Sequence, residues 1–189
     1  IQGCGPQGLG AAVAALADAA GLVVVTGLSS DRRRLEFARR AGAATVDVEV
    51  EDPVAAVEGL TGGRMADVVV NVTGSPATVT ESLRLARNRG TIALAGLAGE
   101  GVEASLPVDE IVWRELSIRG CYSKNMEAAA LADRFLEHRA DWHPFLEDLV
   151  TDVVGLDQVE QVLLDLASPA GDPDVMPVKV AVDPWSGAS

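Results

Sequence analysis

Gly3, Gly5 and Gly8 form a G-x-G-x-x-G spacing near the start of the chain, and an Ala-rich run with helical character follows at once. At this spacing the first glycine permits a tight turn, the second lets backbone approach a pyrophosphate, and the third lets the helix pack closely on its strand. The unpaired N–H groups at the helix start then face the phosphates. The alternative is an ordinary glycine turn, and the repeated strand–helix pattern downstream favours the phosphate site over it. A second group is basic. Arg32, Arg33, Arg34, Arg39 and Arg40 place five positive charges within nine residues of an acidic chain. Arg39 and Arg40 come late in a helix-like segment, where cations suit the dipole, whereas Arg32 to Arg34 sit in its first turn, where an anionic ligand explains them better.

The remaining reactive side chains are few. Two cysteines, Cys4 and Cys121, and two histidines, His138 and His143, cannot supply a disulfide framework or a cluster with zinc spacing. The cysteines read as small apolar fillers and the histidines as surface or capping groups. No catalytic residue and no metal ligand is assigned.

These groups need elements to hold them. Strands are expected at Leu22 to Thr26, Ala44 to Val48, Asp67 to Val72, Thr91 to Ala95, Leu116 to Arg119 and Val178 to Val182, with polar punctuation between them. Leu9, Val13, Leu16 and Ala20 fall on one helical stripe, and Asp31 to Ala41 forms a second helix with Leu35 and Ala38 inward. Alternating β and α with right-handed crossovers predicts an α/β, doubly wound parallel sheet of the Rossmann type. It has six strands, the first cut down to Ile1 and Gln2. After Tyr122 the pattern changes: Asn125 to His138 is one amphipathic helix, Asp141 to Leu166 a polar turn and then another, and Ser168 to Pro177 a loop leading to the last strand. This divides the chain into a dinucleotide-binding domain, 1–123, and a C-terminal part, 124–189.

Composition sets the boundaries. The 189 residues carry a formal charge of −13, with 48% hydrophobic and 4% aromatic content, which gives no basis for gripping nucleic acid or an anionic membrane. Ile1 to Ser30 has a single charge, Asp18, but six glycines interrupt it and no basic leader precedes it, so it is a buried strand and helix and not a membrane span. The cysteine usage suits a reducing cytoplasm. Because the first residue is Ile and not Met, the natural chain is expected to begin upstream.

In order along the chain, Gly3-Cys4-Gly5-Pro6-Gln7-Gly8-Leu9, Val23-Val24-Val25-Thr26, Arg34 to Ala43, Asp67 to Gly74, Gly90 to Gly96, Glu115 to Gly120, Asp157 to Leu166 and Val178 to Pro184 resemble the medium-chain dehydrogenases. These are the zinc-type alcohol and polyol dehydrogenases, and the resemblance is to their cofactor domain and closing segment. It implies that Gly5, Pro6, Gln7 and Gly8 surround the cofactor pyrophosphate. Val72 and Thr73 would lie beside the riboses, and Leu97 would offer backbone groups to the nicotinamide carboxamide. It also implies that the zinc and most of the substrate pocket belong to an N-terminal domain that these residues lack. The fragment alone would then be inactive.

Two functions follow. The first is the nucleotide-binding part of an oxidoreductase that transfers a hydride between NAD(P) and an alcohol or carbonyl. The second is a non-catalytic NAD(P)-sensing module. A dehydrogenase half should expose apolar surface after Tyr122, and a sensing module should be polar there. Cofactor choice rests on the end of the second strand. NAD sites usually place an acid there, but here Gly27 holds that position, followed by Ser29, Ser30, Arg32 and Arg33, a set suited to binding a 2′-phosphate. NADP is favoured and NAD is the alternative. Asp31 is read as a helix N-cap, or else as a carboxylate turned back toward the ribose. An open strand edge at Leu116 to Arg119, beside Val112 and Trp113, points to a homodimer or higher homo-oligomer.

Overall fold

The computed structural model describes residues 1–122, 126–167 and 177–185. Its chain alternates as expected. Helix α1 (Pro6–Ala17) precedes β1 (Val24–Gly27), and α2 (Arg32–Arg40), β2 (Ala44–Asp47), α3 (Pro53–Thr61), β3 (Ala66–Asn71), α4 (Pro76–Leu85) and β4 (Ala86–Leu94) follow in order. Helix α5 (Val108–Trp113) and β5 (Ser117–Gly120) complete this run, and the C-terminal part adds α6 (Met126–His138), α7 (His143–Glu147), β6 (Asp152–Val154), α8 (Val159–Ala167) and β7 (Val180–Val182).

All strand pairs are parallel. The sequence predicts six strands in one sheet; the described residues instead form a pair, β1-β2, a trio, β3-β4-β5, and a separate pair, β6-β7. Gln2 stands between β1-β2 and the trio, with one parallel bridge to Thr26 and one to Asn71. The Gln2 N–H donates to Val70 O at 2.8 Å, its carbonyl accepts from Val72 N at 3.0 Å, and Gly3 N donates to Thr26 O at 3.1 Å. The first strand is therefore reduced to bridging residues. The chain crosses from there to β1 on one side and to β3 on the other, and a ligand crevice forms at the carboxyl ends of strands at such a reversal.

Both faces are covered, as a doubly wound sheet requires. One core cluster joins Leu9, Ala12 and Val13 of α1 to Val25 and to Leu35, Phe37 and Ala38 of α2. The other joins Val57 of α3, Val69, Ile92, and Leu83 and Leu85 of α4. Pro6 at the first helical position starts α1 three residues before the expected Leu9, because a proline there gives up an N–H that would be unpaired anyway. The helix ends at Ala17. Ala19 takes φ 61°, so Ala20 leaves the expected stripe and is exposed. Strand β6 was not expected. It is three residues long and finds its partner, β7, only 28 residues later, at Asp152↔Val180, so it has no local signal. The expected boundary at 123/124 and the loop Ser168 to Pro177 lie outside the described residues, except for Pro177 itself.

Candidate functional site

At the carboxyl edge the three glycines form a tight turn that packs closely on α1. Gly3 has φ +99°, a conformation that needs glycine, and a Cβ there would lie 3.0 Å from Thr73 Cγ2 and 3.1 Å from Val72 Cγ2. A Cβ on Gly8 would collide with the Gly3 carbonyl, whereas one on Gly5 would meet nothing within 4 Å. The turn is thus sealed on the helix side and open on the Gly5 side. Gly5 is the extended N-cap of α1 with no side-chain cap, so the first-turn N–H groups of α1 remain available to a ligand. Pro6 and Gln7 are exposed.

Val72 and Thr73 abut that turn, and Leu97 closes the same edge. A Cβ on Gly74 would strike the Leu97 carbonyl, and one on Gly96 would strike Gly74 N. These two glycines, which the sequence reading placed only in strand-end turns, let the β3 and β4 turns touch. Asn71 was also missed. Its carbonyl accepts from both Ala95 N, at 2.8 Å, and Gly96 N, at 3.1 Å, and its position as a lone amide ending Asp67-Val68-Val69-Val70-Asn71 was the available signal. A cavity of about 740 Å³ lies elsewhere, at the amino edge below Ile1, between Val24, Leu60 and Val68.

The β1 end differs from expectation in several respects. Gly27 is buried, and a Cβ there would collide with Cys4 Sγ and approach Leu35 Cδ2 to 3.1 Å. Cys4 thus fills the side-chain space of residue 27, and burial together with the Asp31 carboxylate pushes its thiol up to about 12. Ser29 does not present a free hydroxyl: its Oγ donates to Asp47 Oδ2 at 2.6 Å and its N–H to Glu49 Oε2 at 2.8 Å. The parallel pairing Gly27↔Asp47 brings these carboxylates to the loop. Asp31 precedes α2 but does not cap it. Its carboxylate instead accepts from Leu28 N at 3.2 Å and from Arg34 Nη1 at 2.8 Å. Arg34 is therefore explained by a neighbouring acid and not by an anionic ligand. Arg32 and Arg33 do occupy the first turn of α2.

Other groups are placed plainly. His138 Nδ1 and His143 Nε2 each meet a backbone carbonyl, Arg134 O at 2.8 Å and Leu136 O at 2.7 Å. Cys121 is exposed, so it is no filler. No described helix is long and apolar enough to cross a membrane.

Residues 8–137 match the model of the zinc-binding dehydrogenases. The chain belongs to that family. It is 40% identical over 182 residues to a protein of Mycobacterium tuberculosis named as a probable alcohol dehydrogenase, covering 94% of this chain and 47% of that one. It is 32% identical over 164 residues to an L-threonine 3-dehydrogenase of Symbiobacterium thermophilum, covering 86% and 46%. A zinc-binding dehydrogenase structure from Sinorhizobium meliloti 1021, bound to NADP, superposes with a TM-score of 0.81 at 26% identity, covering 97% of this chain and 51% of that one. The zinc-binding dehydrogenase chain described here thus spans about half the length of these relatives.

Proposed function

We propose that this chain is the nucleotide-binding half of an NAD(P)-dependent oxidoreductase that moves a hydride between the nicotinamide and an alcohol or carbonyl. The observation that carries the reading is the glycine cradle, closed at Gly8 and open at Gly5, at an uncapped helix start. Gly3, Gly5, Pro6, Gln7 and Gly8 hold the pyrophosphate there. Val72 and Thr73 flank the riboses, and Leu97 turns backbone groups to the carboxamide. The cofactor supplies the hydride, and this half supplies its orientation and its exclusion from water. In the whole enzyme a zinc held by a separate catalytic domain polarises the substrate oxygen, so these 189 residues alone turn over no alcohol. A cytoplasmic location belongs to the same reading.

The competing sensing module calls for a polar exterior after Tyr122. Leu131, Leu136, Val153, Leu156, Leu163 and Leu164 are all exposed, which favours a half that docks on another domain. Trp113, 80% exposed beside the one-sided strand β5, supports pairing of two copies along that edge.

NADP is the proposed cofactor. Gly27 itself supplies no acid, Arg32 and Arg33 stand in the first turn of α2, and Ser30 lies in the short turn before it, while Ser29 is already committed to Asp47 and Glu49. Titration of NADPH and NADH against wild type, Arg32→Ala and Asp31→Ala tests it. Arg32→Ala should weaken NADPH more than NADH, by roughly 1 to 3 kcal/mol. A wild type that prefers NADH, with the preference lost in Asp31→Ala, would make Asp31 the ribose acid and overturn the NADP assignment. Gly27→Asp cannot test it cleanly, because the new side chain would displace Cys4.

A further inference from the structure

Beneath the carboxyl edge lies a polar cluster inside an otherwise apolar body. Gln2, Asn71 and Ser82 are 1%, 1% and 0% exposed, and each comes from a different element. The Asn71 amide is used in full. Its Nδ2 donates to Thr78 Oγ1 at 3.0 Å and Ser82 Oγ at 3.2 Å, and its Oδ1 accepts from Thr73 N at 3.1 Å and Thr73 Oγ1 at 3.0 Å. Ser82 Oγ reaches Gln2 Oε1 at 2.5 Å, and Thr73 Oγ1 in turn accepts from Ser75 N at 3.1 Å.

We propose that Asn71 is a positioning residue for the nicotinamide side of the cofactor site, acting through Thr73 and the turn that follows it. The inference rests on the dinucleotide reading above. An aliphatic side chain could fill the same space without desolvating an amide, so packing alone does not call for this residue. A fully satisfied buried network instead holds one geometry. Here the Asn71 side chain fixes Thr73 against Thr78 and Ser82, while its backbone carbonyl holds Ala95 and Gly96 ahead of Leu97. One residue thus ties together the turn at Thr73 and the turn before Leu97. The adenosine side, around Gly27 and Asp31, makes no hydrogen bond to Asn71.

That asymmetry supplies the test. The full chain is titrated with NADPH, by its fluorescence change, and with adenosine 2′,5′-bisphosphate, which lacks the nicotinamide half, by calorimetry. Asn71→Ala should weaken NADPH roughly tenfold and leave the bisphosphate within about twofold, because one set of buried hydrogen bonds orienting only the nicotinamide side is lost. Thr78→Val, which removes the hydroxyl that meets both Asn71 Nδ2 and Thr73 Oγ1, should shift the same ratio in the same direction by a smaller factor, and it decides the matter if Asn71→Ala does not fold. Equal weakening of both ligands in the folded variants, or no change in the ratio, overturns the assignment. A wild type that binds neither ligand would instead refute the dinucleotide reading on which it depends.

Discussion

Leu9 and Leu164 both sit on helices with an apolar stripe, yet Leu9 has no exposed surface and Leu164 is 61% exposed. The contrast holds for the regions around them. In the sheet-bearing part, α1 to β5, both faces find partners and two clusters of buried side chains form. In the C-terminal part α6 buries no residue, and Leu131, Leu136, Leu156, Leu163 and Leu164 stay exposed among the described residues. That part is attached along one side. Leu149 and Val178 join the first cluster, Phe145 meets Phe37 edge to face at 6.4 Å, and Arg40 reaches Asp148 at 3.6 Å. The lesson is that an amphipathic pattern specifies that a face will be covered, not by what.

The comparison can be broken at several points. Leu9→Ala should have the largest effect, about 2 to 5 kcal/mol lost in denaturant unfolding, since it opens a cavity in a closed core. If the loss falls below about 1 kcal/mol, the sheet-bearing part is less tightly packed than described.

Smaller effects belong to the C-terminal part. Phe145→Ala should cost about 1 to 2 kcal/mol, because the ring is only half-buried, and it should loosen residues 126–185 in hydrogen exchange before it loosens the sheet. Leu164→Gln should change stability by less than about 0.5 kcal/mol, and a larger loss would show that this face is covered after all.

Much of the fold was legible because its signals are local. The glycine spacing, the Val-rich strands and the arginine-rich first turn of α2 each announce themselves within a few residues. What stayed hidden depends on partners distant in sequence. Strand β6 exists only through Val180–Val182. The direction of Asp31 is set by Leu28 N and Arg34, and the role of Gly27 by Cys4, 23 residues earlier, whose thiol takes the space a side chain would need. Asn71 was visible as an amide closing an apolar strand, but its meaning required Gln2, Thr78 and Ser82 to be brought beside it.

The central claim is that the turn from Gly3 to Gly8 holds a dinucleotide, and a pair of alanine variants tests it most directly. Gly8→Ala places a methyl group against the Gly3 carbonyl, while Gly10→Ala, two residues along the same helix, meets nothing within 4 Å. NADPH titrated by fluorescence against the two variants and wild type should bind wild type and Gly10→Ala alike, within about threefold, and bind a still-folded Gly8→Ala at least roughly a hundredfold more weakly, a loss of about 3 kcal/mol. Equal affinity in all three, or no saturable binding to wild type, would contradict the account.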